Sequence, residues 1–354
     1  MILKTHSSTR LTSAILIVYF FFIFQTGFGA EIATYWISFK GFTDSIDVMK
    51  IDQFGTVLRQ PVVVLKRSDF GKHQVGTPAL SQGTPGRLLL WIGTFGETSL
   101  NPGNIYRTRL AKEDLKVLSL HNTSIKDTNA YSLQLTGRDL ENFIVVEREA
   151  NSFNLVTGYA IERNGALIGN HFRMSSQTAG EVGCSECASG VSADARYAWI
   201  IDEPISSKMN LYVQRLGIHG RAIKAANLVT TVHGSEIKGA DITSLLSSGI
   251  RFLVYVITRN SPEESDKIFL QRIDDDTGTN LGEPILIASE SQIKPFQSIA
   301  IDPHGKFLIY AVESLAAVPR GLKFQALDAT GSPSGTSKFI THKANLEIDI
   351  LEEE

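Results

Sequence analysis

A run of five or six apolar residues, opened by a basic or polar residue, recurs along this chain at a near-constant interval. It reads RLLLWI from Arg87, NFIVV from Asn142, RYAWII from Arg196, RFLVYV from Arg251 and KFLIYA from Lys306. The starts at 87, 142, 196, 251 and 306 lie 55, 54, 55 and 55 residues apart. One more step back from 87 lands on Ile32, beside the strand-like run ATYWISF at Ala33–Phe39, which makes six copies. A fixed period of this size marks a chain built from stacked supersecondary units.

Each copy has the same parts. A short strand precedes the apolar run, as at Tyr131–Leu135, Ser189–Ser192, Asp241–Leu245 and Ser298–Ile301, with a weaker match at Pro78–Ser81. An alternating strand follows, as in NLYVQRL at Asn210–Leu216 and KIFLQRI at Lys267–Ile273, the pattern of a half-buried strand. Next comes a turn with Gly55, Gly165, Gly220, Gly278 or Gly331, although the second copy has Lys112-Glu113-Asp114 there. Hairpin turns often need positive φ, which glycine adopts freely. A last strand closes the unit, as at Pro61–Leu65, Asn227–Val232 and Lys338–Thr341.

Four antiparallel strands in such a unit cannot bury both sheet faces alone, so radial stacking is the economical solution. Residues 31–354 number 324, six times 54. The first unit lacks its own innermost strand, and the alternating segment Ala344–Leu351 (ANLEIDIL) is left over after the sixth. The expected fold is therefore all-β: a six-bladed β-propeller of four-stranded antiparallel blades. The C-terminal strand completes the first blade, leaving no open edge.

The N-terminus reads as a targeting segment. Lys4 and Arg10 precede the apolar run Ala14–Phe24, and small residues follow up to Ala30, the pattern of a secretory signal peptide over residues 1–30. Residues 31–354 then form a single domain that is secreted or periplasmic. Cleavage after Gly29 or Ala30 leaves no stable membrane span. Retention as an anchor is the alternative, since the apolar stretch extends to about 17 residues, the lower limit for crossing a bilayer. A formal charge of −3 gives no electrostatic reason to expect nucleic acid as a partner.

The two cysteines are Cys184 and Cys187, within GCSEC. In an oxidising compartment a disulfide between them is the default, stabilising by about 2 kcal/mol because the loop is short. A redox-active pair and half of a zinc site are the alternatives, the latter lacking a second pair of ligands nearby.

The segment SIAIDPHGKFLIYAV, with Asp302-Pro303-His304-Gly305-Lys306 at its turn, resembles the S-P-D-G-[RK]-x-L-Y hairpin of TolB-like and WD40-like propeller repeats. Ser192-Ala193-Asp194-Ala195-Arg196 is a looser copy, and Ser247-Ser248-Gly249 is looser still. The resemblance implies the architecture of nearly the whole mature chain. Its motif is a structural turn, so it carries no catalytic residue across.

In a propeller, loops leaving the second strand and loops linking blades gather around one axial opening, and ligands usually meet such loops. Glu147, Arg148, Asp202, Glu203, Arg259 and Glu313 fall at those strand exits, with Glu149 and Lys40 in similar places. A carboxylate ring there would suit Ca²⁺ as a cofactor, or supply an acid/base pair. The plain alternative is that they are solvated loop residues. The insertion Ser175–Ala188 around the cysteines reads as a lip over this opening.

Trp36, Trp91 and Trp199 sit within apolar runs and read as core. No histidine has metal-ligand or G-x-S-x-G spacing. The run from Asp274 to Asn280 has the D-x-D spacing of a calcium loop but lacks the rest of an EF-hand, so a hairpin turn is the better reading. The function expected is a non-enzymatic binding module, with a protein or envelope component as partner. The alternative is a propeller hydrolase or lactonase-like enzyme using the acidic exit residues, with Ca²⁺.

Overall fold

β-Branched and aromatic residues fill the apolar runs, and in the computed structural model each run lies inside a sheet with a neighbour on either side. The structure describes residues 32–41, 44–71, 73–95, 104–123, 133–138, 141–150, 153–162, 167–173, 189–194, 196–205, 208–217, 222–258, 264–290, 293, 299–312, 320–342 and 344–353. Residues 34–354 group as one unit, separate from residues 1–33. The proposed signal peptide and both cysteines lie outside the described residues. Among those residues, no helix is long and apolar enough to cross a membrane.

The first sheet joins β1 (Thr34–Gly41), β2 (Ser45–Asp52) and β3 (Val57–Lys66), with β24 (Ala344–Glu352) on the inner side of β1. The second holds β4 (Gln74–Gln82), β5 (Arg87–Phe95), β6 (Ile105–Ala111) and β7 (Val117–Asn122). The third holds β8 (Leu133–Arg138), β9 (Glu141–Ala150), β10 (Phe153–Glu162) and β11 (Leu167–Arg173). The fourth holds β12 (Ser189–Val191), β13 (Tyr197–Ile205), β14 (Lys208–Arg215) and β15 (Asn227–His233). The fifth holds β16 (Ile237–Ile242), β17 (Ile250–Ile257), β18 (Asp266–Asp274) and β19 (Ile285–Glu290). The last holds β20 (Ile299–Ile301), β21 (Phe307–Val312), β22 (Gly321–Leu327) and β23 (Pro333–Thr341).

All pairings are antiparallel, and β24 runs in register with β1 from Tyr35 opposite Glu352 to Phe39 opposite Ile348. Innermost strands touch in cyclic order: β24 meets β4, β4 meets β8, then β12, β16 and β20 follow, and β20 returns to β24.

The core lies between neighbouring sheets. Trp36 packs with Leu88, Leu90 and Ile92 of the next sheet. Tyr197, Trp199 and Ile201 of β13 meet Leu253 and Tyr255 of β17, whose other face sets Phe252, Val254 and Val256 against Leu308, Tyr310 and Val312. A strand covered on both faces needs apolar residues at every position, which is why these runs are continuous. All three tryptophans are core, at 2%, 0% and 0% exposed for Trp36, Trp91 and Trp199. Burying each large side chain contributes roughly 1.5–3 kcal/mol.

The recurring turn glycine has a specific task. Gly55, Gly278 and Gly331 have φ of 72°, 73° and 86°. Each also presses its backbone on the preceding sheet: a Cβ would lie 2.6 Å from Phe324 at Gly55, 2.7 Å from Asn227 at Gly278 and 2.8 Å from Leu270 at Gly331. Where the second copy lacks the glycine, Leu115 takes the left-handed conformation instead, at φ 60°, and buries its side chain.

The strand expected at Asp241–Leu245 is displaced. It spans Ile237–Ile242, and Leu245 lies in the following turn, 49% exposed. Arg251 explains the difference: its Nη1 donates to the carbonyl of Thr243 (3.0 Å) and Leu246 N–H donates to Ile250 (3.0 Å), so the turn opens earlier and runs longer than in Asp302–Lys306.

Candidate functional site

Antiparallel order sorts the connections onto two ends of the sheets. At one end lie the links from second to third strand and from one sheet to the next. These include the connections 96–104, 123–132, 174–188, 258–265, 291–298 and 313–320. At the other end most links are tight turns, such as 53–56, 83–86, 112–116, 192–196, 302–306 and 328–332. Chain length available for contacting a ligand is therefore concentrated at the first end.

The residues singled out above lie at or near that end as far as the backbone is described. Glu147 and Arg148 stand in β9 opposite Val156 and Leu155, and Asp202 stands in β13 opposite Asn210, with Glu203 after it. The side chains of these four residues, and Arg259, Glu313 and the segment 174–188 altogether, lie outside the described residues. Lys40, at the end of β1, shows where such an exit leads. Its ammonium donates to the carbonyl of Val75 in β4 at 2.8 Å and sits 3.3 Å from Asp44, bridging to the innermost strand of the next sheet. Lys40 is 8% exposed, so its charge is committed to the scaffold.

Two further carboxylates stand on innermost strands. Asp349 of β24 accepts the N–H of Leu80 in β4 at 2.5 Å, and Asp241 of β16 accepts the N–H of Ile301 in β20 at 2.8 Å. An innermost strand has one edge without a strand partner, so its N–H groups need an acceptor. In both cases an aspartate on the preceding sheet supplies it. Burial pushes the Asp349 carboxyl up to about 7; the Asp241 charge adds to this, and the Leu80 N–H opposes it. Near neutral pH Asp349 is therefore divided between its neutral and charged forms. The signal in ANLEIDIL was one Asp on an alternating strand, which reads equally as a solvent-facing residue.

At the opposite end the carboxylates are engaged by the scaffold. Arg251, 1% exposed, forms a two-pronged ion pair with Asp194 (2.9 and 2.8 Å) and a third bond to Asp275 (2.5 Å), joining two sheets. Asp274 accepts Thr277 N–H at 2.8 Å, Asp52 accepts Phe54 and Thr56 N–H at 2.8 Å, and Asp328 accepts Thr330 N–H at 2.8 Å. These turn hydrogen bonds hold Asp274 and Asp328 below the usual carboxylate range; Asp52 is lowered too, although burial opposes it. The run Asp274–Asn280 is thus a side-chain-capped hairpin turn. Among the described residues no group of three or more His, Cys, Asp or Glu side chains could hold a metal ion.

TolB from Acinetobacter baumannii superimposes with a TM-score of 0.50 and 15% identity, over 98% of this chain and 74% of that one. At the level of fold, the chain resembles TolB-like β-propellers. A thermostable family-43 glycoside hydrolase aligns more distantly (TM-score 0.44, 11% identity, 75% of this chain and 95% of that one). The α-L-arabinofuranosidase PaAbf62A from Podospora anserina does likewise (0.46, 10% identity, 75% and 94%). No family model matches the sequence, and no curated protein matches it. At such identities the likeness to TolB concerns architecture alone.

Proposed function

We propose that the chain is a six-bladed propeller, closed by β24, that serves as a secreted or periplasmic binding module for a protein or envelope component. The observation that carries the binding reading is the asymmetry of the connections: most long ones leave from one end, on a scaffold whose innermost strands touch in an unbroken cycle. Loops on a rigid frame are the usual seat of recognition. The blade count rests on the six-fold repeat and on that cycle. Export rests on the N-terminal segment.

Envelope extracts passed over immobilised protein test the reading. Wild type is compared with two variants: one with 175–182 replaced by a short Gly/Ser linker and Glu147, Arg148, Asp202 and Glu203 changed to Ala, the other with Arg59→Glu at the turn end. The loop-end variant is expected to lose the specifically retained components while the turn-end variant keeps them. The opposite pattern, or equal retention by all three, overturns it. A calcium-dependent rise in the wild-type melting temperature, removed by Glu147→Ala with Asp202→Ala, would favour the hydrolase reading instead.

A further inference from the structure

The end of the chain meets three sheets at once. Glu353 accepts the Thr34 hydroxyl at 2.7 Å, pairs with Lys50, and lies 3.6 Å from Lys112 of the second sheet. Burial raises its carboxyl, but Lys50 and the Thr34 hydroxyl outweigh this and hold it below the ordinary range. On the other side, Glu352 Oε2 lies 2.5 Å from His304 Nε2, in the turn between β20 and β21 of the last sheet. Asp302 in that turn is fully buried. One of its oxygens accepts Lys306 N–H at 2.9 Å, whereas Oδ1 makes no hydrogen bond of good geometry. The buried hydroxyl of Tyr35, on β1, lies against both Asp302 and Glu352.

We propose that β24 is held by a clasp with two halves, one constant at Glu353 and one strengthened by acid at Tyr35, Asp302, His304 and Glu352, so that closure tightens on mild acidification. Protonated imidazole pairs with the Glu352 carboxylate, whereas neutral imidazole offers it at most one uncharged hydrogen bond.

Asp302 works in the same direction. Burial raises its carboxyl, the Glu352 charge adds to this, and Lys306 and His304 offset it in part. A folded state that holds a proton more readily than the unfolded chain is favoured at low pH, and that advantage is lost as pH rises through the folded value. Tyr35 comes from β1, Lys306 from the turn, and Gln82 of β4 donates to the Glu352 carbonyl at 2.8 Å. Asp349, on β24 itself, also responds to acid in this sense, so it must be separated in any test.

Hydrogen exchange of the full chain, in wild type and in an Asp349→Asn background, decides the matter at pH 5.5 and 7.5 after correction for intrinsic rates. Amides of β24 and β1 are expected to be about 3–10-fold better protected at the lower pH, with those of β17 changing less. His304→Gln should abolish most of the ratio. Asp302→Asn, neutral throughout, should raise protection at pH 7.5 towards the acidic level. Glu353→Gln should lower protection by the same factor at both values. Equal protection at the two pH values in the Asp349→Asn background, or a ratio unaltered by His304→Gln, overturns the proposal. If the turn variants fail to fold, the ratio in the Asp349→Asn background decides alone.

Discussion

Asp349, buried on an innermost strand, couples stability to pH through a carboxyl raised towards neutrality. Its folded value, about 7, lies above the usual aspartate value, so the folded state binds the proton more tightly than the unfolded chain does. The associated stability is complete below about pH 4 and is lost as pH rises through 7. Asp349→Asn should therefore be more stable than wild type at pH 8.5, by roughly 2–4 kcal/mol, and nearly equal to it at pH 4.5. Urea denaturation at the two values measures this, and a wild type that gains stability with rising pH would contradict it. Arg251 illustrates the opposite case. Burial there disfavours the cation, but Asp194 and Asp275 more than compensate and keep its affinity for the proton above the ordinary arginine level.

At the scale of elements, the turns determine how each sheet seats on its predecessor. Gly331 and Gly335 both have positive φ, but only Gly331 meets a neighbour, Leu270, whereas Gly335 has nothing within 4 Å of a Cβ position. Gly335→Ala should thus cost about 1 kcal/mol from backbone strain, and Gly331→Ala about 2–4 kcal/mol because packing is lost as well. Thermal unfolding of the two variants gives the comparison; equal losses would mean that the contact contributes nothing.

Much at this scale was legible in the sequence. The apolar runs that begin at Arg87, Arg196, Arg251 and Lys306 all fall on the second strand of a sheet, because a strand buried on both faces leaves an unmistakable run. The innermost strands were harder to place. Val191 and Ile242 close strands of three and six residues, too short for their periodicity to fix a boundary. The candidate site was less legible still. The acceptor role of Asp349 depends on an N–H 269 residues away, and the link from His304 to Glu352 spans 48. No local pattern encodes either pairing, whereas Asp302–Lys306 could be identified as a turn from its own residues.

For the molecule as a whole, β24 is the only segment that joins the last sheet to the first along the innermost cycle of described strands. A chain ending after His342 would leave the inner edge of β1 bare, with Tyr35, Ile37 and Phe39 deprived of a neighbour. Such a truncation should lower the melting temperature by more than 10 °C and promote aggregation through that edge. A peptide spanning 344–353, added in trans, should restore part of the loss. Scanning calorimetry with and without the peptide checks both statements, and an unchanged transition after truncation would refute them.

Because β1 waits for a partner made some three hundred residues later, its inner edge is covered only after the other five sheets have been made. At ribosomal rates of about 5–20 residues per second, the apolar edge TYWISF stays unpaired for roughly 15–60 seconds while the remaining sheets are being made. An architecture that covers the inner edge of β1 only when β24 arrives thus gives the nascent chain a long interval of exposure. That interval is a window in which a holdase would act, and during which crowding of unfinished copies carries the greatest hazard.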